Sequence, residues 1–217
     1  MGFKLLDFAR DAGIAMPENF TASCHKLRLF LEETNRNVNL TRITEEEEFN
    51  LKHVVDSLSI FKIFPELLTE KFHIADIGCG AGFPSLILAM AAKNLTITAI
   101  DSIGKKVNFV AQAAELLQLD NLHTIHGRAV ELNREADFCG KFDIVTARAV
   151  APSPKIFGET KNFIRKNGRF IFYKTPSQAA EEMPELHKVK NMLWQQSLVF
   201  DLPEDTGSRC FVIGSLR

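Results

Sequence analysis

Residues 76 to 82 read Asp-Ile-Gly-Cys-Gly-Ala-Gly and follow a short, largely apolar run, Phe72 to Ala75. No other segment restricts the fold as strongly. A chain that leaves a buried strand and enters a helix beside a ligand needs positions without a Cβ. Gly78, Gly80 and Gly82 can take dihedrals closed to other residues and let the backbone touch that ligand. The dinucleotide fingerprint G-x-G-x-x-G would place its third glycine at position 83, which is Phe83. The spacing is instead G-x-G-x-G after an acidic residue, Asp76. A second apolar run, Leu95 to Ile100, ends in Asp101, whose carboxylate can accept hydrogen bonds from ribose hydroxyls. Asp101 also suits the N-cap of the helix expected from Ile103 onward, and one residue can serve both ends.

The pattern along the chain changes near residue 70. Before it, Pro17 fits a first helical position, and Phe20, Cys24, Leu27, Phe30 and Leu31 recur at three- and four-residue steps, predicting an amphipathic helix. A second helix is expected from Thr44 as N-cap, with Glu45 to Glu48 in its first turn. Phe49, Val54, Val55, Leu58, Phe61 and Phe64 form its buried side, and Pro65 ends it. After residue 70, strands are expected at 72–77, 95–100, 122–126, 142–147 and 169–174, with helices after the first, second, fourth and fifth. Late strands at 193–200 and 209–214 flank the polar turn LPEDTGS and should pair antiparallel. In open sheets of this kind ligands lie outside the carboxyl ends of the strands. That rule puts Asp76, Asp101, Gly127 to Val130 and Ala147 to Val150 on one rim.

Composition narrows the function classes. A net charge of −1 and a pI near 6.6 exclude nucleic-acid binding by global electrostatics, so any such partner needs a local basic patch. Lys105, Lys106, Arg128, Arg148 and the group Arg165, Lys166 and Arg169 are candidates, and all are equally compatible with a solvated surface. Cys24, Cys79, Cys139 and Cys210 are scattered without a C-x-x-C pair, which fits reduced thiols and neither a disulfide frame nor a zinc site. The apolar N-terminal pattern is broken by Lys4, Asp7 and Arg10, unlike a signal peptide. A cytoplasmic, monomeric protein with no membrane association and no metal is expected.

The turn resembles motif I of the Rossmann-like methyltransferases that use S-adenosylmethionine (SAM), in which the loop meets the amino-acid half of SAM. Methyl transfer from a sulfonium is an in-line displacement, so positioning matters most. Adenine amines call for a [DNS]-P-P-[YF] motif after the fourth strand, where this chain has Thr146-Ala-Arg-Ala-Val-Ala-Pro152. Pyrimidine carbons call for a cysteine nucleophile. Cys139 sits in a loop before the fourth strand and Cys79 lies between cofactor glycines, so neither fits. Arg148 remains on the rim, a donor suited to guanine acceptors or phosphate, where N7 needs no base to deprotonate it. Arg148 could equally form a salt bridge to Asp101 or a neighbouring carboxylate.

Together, Asn39-Leu-Thr41, the helix Lys52-His-Val-Val-Asp-Ser57, DIGCGAGFP, IDSIGKKVNFV, GRAVEL and FDIVTARAVAP resemble the bacterial RsmG family, also called GidB, over nearly the whole chain. The resemblance implies SAM-dependent methylation of guanine N7 in small-subunit (16S) ribosomal RNA, acting in rRNA processing. It implies a seven-stranded, mostly parallel α/β sheet with a C-terminal antiparallel hairpin. Residues 1–70 would form a helical extension packed on a SAM-binding domain, 71–217. SAM contacts are implied at Gly78, Phe83, Ala129, Val130 and Arg148, with Asp101 at the ribose, and Asp76, Gly80 and Gly82 of the turn are expected to bind the cofactor as well. Lys105, Lys106, Arg128, Lys174 and Arg209 match basic positions suited to the RNA backbone. His53 and Asp56 match the family's R-H-x-x-D-S helix, or form a satisfied buried pair. The chain departs from the pattern at Thr34, where Trp is frequent, and at Ser85 and Thr175, where glycine is usual.

Overall fold

A computed structural model describes residues 3–43 and 45–217, apart from the side chain of Asn37. Five parallel strands form the centre of the sheet: β1 (His73–Ile77), β2 (Thr96–Asp101), β3 (Leu122–His126), β4 (Phe142–Arg148) and β5 (Ile164–Lys174). Three more, β6 (Met192–Gln196), β7 (Phe200–Asp201) and β8 (Ser208–Leu216), complete it in the order β3-β2-β1-β4-β5-β8-β6, with β7 paired to β8. The strand order reverses at β1, which lies between β2 and β4, and that reversal opens a crevice above the carboxyl ends.

Strands β1, β2, β4 and β5 are buried on both faces over most of their length, so their apolar residues divide by alternation, whereas β3 is an edge strand. Ile74, Ile97, Ile144 and Ile171 face one core, whereas Ala75, Ile100, Val145 and Phe170 face the other. The first core is completed by helices α1 (Leu5–Asp11) and α2 (Pro17–Val38), which begins at Pro17 as expected. The helical stretch from Glu46 to Leu68, α6 (Ser85–Ala91) and α7 (Gly104–Leu116) close it. The second is covered by α8 (Ala129–Leu132), α9 (Ser153–Thr160) and α10 (Pro176–Leu186). Among the described residues no helix is long and apolar enough to cross a membrane.

Four local features differ from the sequence-based expectation. The helix expected from Thr44 to Pro65 is broken into α3 (Glu46–Phe49), a π-helical turn Asn50–Val55, α4 (Asp56–Leu58) and α5 (Ile60–Ile63), followed by a 3₁₀ turn Pro65–Leu68. Its proposed cap, Thr44, lies outside the described residues, but the expected buried side is buried throughout. β5 begins at Ile164 and not near 169, because Phe142 pairs with Ile164 before a bulge; the exposed Arg165-Lys166-Asn167 hides that start. The strand expected at 193–200 is two strands. Ser197 Oγ accepts from the Phe211 N–H (2.9 Å), a side-chain bond that interrupts the ladder and leaves Leu198 83% exposed. Finally, a one-turn helix, α8, follows β3, where no helix was expected.

Candidate functional site

The glycine turn is held by the strand beside it. Gly78 N and Cys79 N both donate to the Ile100 carbonyl (2.7 and 3.0 Å), and Gly80 N donates to Asp101 Oδ2 (3.0 Å). All three glycines have positive φ. At Gly78 (φ 67°) a Cβ would lie 2.6 Å from a Val150 methyl, so the turn requires both the left-handed backbone and the missing side chain. Asp101 Oδ1 accepts from Ile103 N (2.9 Å), so its carboxylate braces the turn and the start of α7 together. Below the turn Asp76 is buried and bonded by the Ser85 hydroxyl and backbone N–H, while its Oδ1 has no partner. Burial, only partly offset by Ser85, pushes Asp76 up to about 7. Burial likewise raises the Cys79 thiol far above its ordinary range, which disfavours a thiolate nucleophile there.

Opposite the turn, Arg148 ends β4 and meets the helical segment that precedes the sheet. Its Nη1 donates to Asp56 Oδ2 (2.9 Å) and to the Lys52 carbonyl (2.8 Å), and its Nη2 donates to His53 Nδ1 (3.2 Å). A guanidinium only donates, so Nδ1 is unprotonated. Burial and then the charge of Arg148 push His53 down to about 3, so the ring is neutral and carries its proton on Nε2. That N–H points to Thr41 Oγ1 (3.2 Å). Thr41 is in turn held by Asn35, whose Oδ1 accepts from Leu40 N and Thr41 N and whose Nδ2 donates to the Thr41 carbonyl (2.8 Å). Asp56 Oδ1 accepts from Arg209 Nε (2.9 Å), so one buried carboxylate joins two arginines from different strands.

Phe83 joins the two halves. Its ring stacks on His53 at 4.2 Å between centroids and 3° between planes, meets Phe49 edge-on, and lies 5.8 Å from the Arg148 guanidinium carbon. The residue that departs from the dinucleotide fingerprint is therefore the one that packs the turn against the N-terminal helices.

A cavity of about 580 Å³ lies between these groups. Gly78, Gly80, Phe83, Asp101, Lys106, Arg128, Ala129, Val130 and Arg148 line it, as do Thr41 and His53. Asp76 and Gly82, expected to bind the cofactor, are not among the residues that line the cavity: Asp76 is buried and bonded to Ser85, and Gly82 packs against Leu86. Lys105 is exposed on the outer face of α7, next to Lys106, and neither lysine nor Arg128 has an ion-pair partner among the described residues. Lys174 does not fit the role of an RNA-facing cation. It is 7% exposed, and its ammonium is bound to Glu182 (2.9 Å) and the Ala151 carbonyl (3.1 Å). Arg209 is drawn inward by Asp56. The carboxylate that pairs with Arg148 is Asp56 and not Asp101, and the buried arginine Nε keeps no acceptor of its own. Sequence reasoning missed Lys155 and Glu159, which also line the cavity; their signal was an i, i+4 pair on the helix following β4.

The chain is similar to known proteins. The family model for rRNA small subunit methyltransferase G, GidB, matches residues 22–203. A ribosomal RNA small subunit methyltransferase G of Lactobacillus delbrueckii subsp. bulgaricus is 36% identical over 84% of this chain and 77% of its own length. One of Staphylococcus saprophyticus is 40% identical over 84% of this chain and 76% of its own length. Among solved structures, a SAM-dependent methyltransferase of Aquifex aeolicus aligns with a TM-score of 0.56 at 17% identity, covering 76% of this chain and 91% of that one, a likeness of fold. With its turn, its Arg148 cluster and its match across residues 22–203, this chain belongs to the GidB family of rRNA small subunit methyltransferase G proteins.

Proposed function

We propose that the chain binds SAM in the cavity above β1, β2 and β4 and methylates N7 of a guanine in 16S ribosomal RNA, as free RNA or in the small subunit. The observation that carries this reading is the juxtaposition of a backbone-built turn with Arg148 held in fixed orientation by Asp56 and His53. The residues present fit the cofactor. Gly78 and Gly80 let backbone approach, Asp101 stands at the end of β2 where a ribose lies in such folds, and the orphaned Arg148 Nε has a donor to offer. Bound SAM supplies the methyl group on a sulfonium. Asp101 and the glycines orient the nucleoside and amino-acid ends, and Ala129 and Val130 bound the base. Arg148 holds the acceptor ring or a phosphate of the target with its remaining donors.

N7 of guanine already carries a free lone pair, so no proton must leave before transfer. That matches a site whose buried histidine is neutral and hydrogen-bonded at both nitrogens. The sulfonium charge moves to the purine, and alignment supplies most of the rate. The target base reaches the site unstacked from its loop. Lys105, Lys106 and Arg128 on the open side of the cavity form the patch that receives the RNA backbone; Lys174 and Arg209 support the site from behind. A monomer acting in the cytoplasm is the corresponding setting.

Incubation with labelled SAM and small ribosomal subunits from a strain lacking the modification should label one guanine, with the label retained as 7-methylguanine. Label in another base, or in no RNA whether free or assembled, refutes the reading. Arg148→Ala should lower turnover by roughly a hundredfold, an interaction loss of about 2.7 kcal/mol at the transition state.

A further inference from the structure

The cavity wall carries two carboxylates with different duties. Both oxygens of Asp101 are engaged by backbone, one with Gly80 N and the other with Ile103 N. Glu159 lines the same cavity and has no hydrogen-bond or ion-pair partner among the described residues. Lys155 precedes it by four residues on α9 and also lines the cavity, yet the two do not pair. Glu159 is therefore a free anionic acceptor at a ligand-sized space. An ionised carboxylate accepts and cannot donate, so the group it meets must carry N–H or O–H.

Its surroundings say which group. α9 packs on α8, and both cover the second core of the sheet. α8 opens with Ala129 and Val130, the latter 41% exposed at the cavity, and Val150 closes over Gly78. Ala129, Val130 and Val150 give the cavity an apolar wall, with Glu159 as its unpaired carboxylate beside the cations Lys106, Arg128 and Lys155; a flat ring with an amine on its edge fits against such a wall. His53 and Arg148 line the same cavity, and the N-terminal helices that carry His53 pack on the other core of the sheet from α8 and α9. With Asp101 at the end of β2 read as the ribose contact, the neighbouring strand β3 leads into Ala129 and Val130 of α8 as the wall for the base, and α9 packs on α8.

We propose that Glu159 is a specificity-determining residue for the cofactor, accepting a hydrogen bond from the exocyclic amine of its adenine. The proposal rests on the SAM reading above and deepens it. A target guanine also bears an amine, so the test separates contact with the cofactor from contact with the target base.

The test is calorimetric binding of S-adenosylhomocysteine and of S-inosylhomocysteine, in which a carbonyl replaces the amine. The wild-type chain should prefer the adenosyl ligand by roughly tenfold or more, the yield of one hydrogen bond to a charged acceptor. Glu159→Ala should lose most of that preference through weaker adenosyl binding. Glu159→Gln, whose amide can donate to the carbonyl, should narrow or reverse it, with melting temperatures of all three proteins compared to verify folding. A Glu159→Ala protein that keeps the wild-type preference overturns the proposal. Unchanged adenosyl binding with a raised KM for ribosomal RNA overturns it too, placing the carboxylate at the target base. Absence of binding by the wild-type chain would instead overturn the SAM reading itself.

Discussion

The two walls of the cavity are built by different means. On the turn side the work is done by backbone: Gly78, Cys79 and Gly80 donate their N–H groups to Ile100 and Asp101, and positive φ fixes their direction. On the opposite side it is done by side chains from distant parts of the chain. Asp56 and His53 come from an irregular helical stretch, Arg148 from β4 and Arg209 from β8. The backbone wall resists change at its glycines: a Cβ at Gly78 or Gly82 would collide with Val150 or Leu86, and at Gly80, where there is room for one, the positive φ still disfavours it. The side-chain wall instead has a desolvated carboxylate at its centre and depends on every partner being present.

The largest expected effect lies in the side-chain wall. Asp56→Ala would leave the Arg148 and Arg209 guanidinium groups without their shared anion, and should cost about 3 kcal/mol of stability in urea melts together with most of the activity. Stability within experimental error of wild type would show that the two arginines find other anions or water, and that the wall is not organised by Asp56. Next comes the backbone wall. Gly78→Ala combines a left-handed φ with a 2.6 Å approach to Val150, and a strain of about 1–2 kcal/mol or more should appear as at least a tenfold loss of S-adenosylhomocysteine affinity. Undiminished affinity would mean the turn can relax.

The walls should also titrate with opposite sign. His53 stays neutral in the folded chain down to about 3, by burial first and Arg148 second, while the unfolded chain takes up that proton below about 6.5. Its contribution to stability is full above that range and is lost as the pH falls. Asp76, raised to about 7 by burial, keeps its proton in the folded chain while the unfolded chain releases it near 4. Its contribution is full at low pH and is lost as the pH rises toward 7. Between about pH 4 and 6.5 each effect has a slope of at most about 1.4 kcal/mol per pH unit. Relative to wild type, His53→Asn should therefore become less stable as the pH rises, and Asp76→Asn more stable. Parallel profiles for both variants would show that neither group changes its proton affinity on folding.

The smallest effect lies outside both walls. Lys105→Ala with Lys106→Ala should reduce the slope of log affinity for RNA against log salt by about 1.4, for two phosphates on a single strand. An unaltered slope would remove these lysines from the RNA path.

The contrast between the walls also explains how much was legible in the residues. The alternating strands, the glycine turn, Asp101 and Arg148 at the strand ends could be read directly, because each rests on a local rule of periodicity or dihedral freedom. The amphipathic side Phe49 to Phe64 was legible for the same reason, although its π-helical turn was not, since nothing in Asn50–Val55 marks a change of hydrogen-bond register. The break after β6 depends on one serine hydroxyl replacing a carbonyl in the ladder, an exchange that leaves no trace in the apolar pattern. Lys174 looked like an RNA contact because a lysine at a strand end is ordinarily solvated; Glu182, eight residues on in α10, draws it inward.

By itself the sequence determined a glycine turn that departs from the dinucleotide fingerprint at Phe83 and the parallel α/β order, because these follow from dihedral limits and periodicity within short stretches of consecutive residues. Only the tertiary structure decided that Phe83 stacks on His53, that Asp56 and not Asp101 holds Arg148, and that Glu159 faces the cavity unpaired. Those facts depend on which side chains meet across long separations in the chain, and a buried charge takes whichever partner the packing brings within reach.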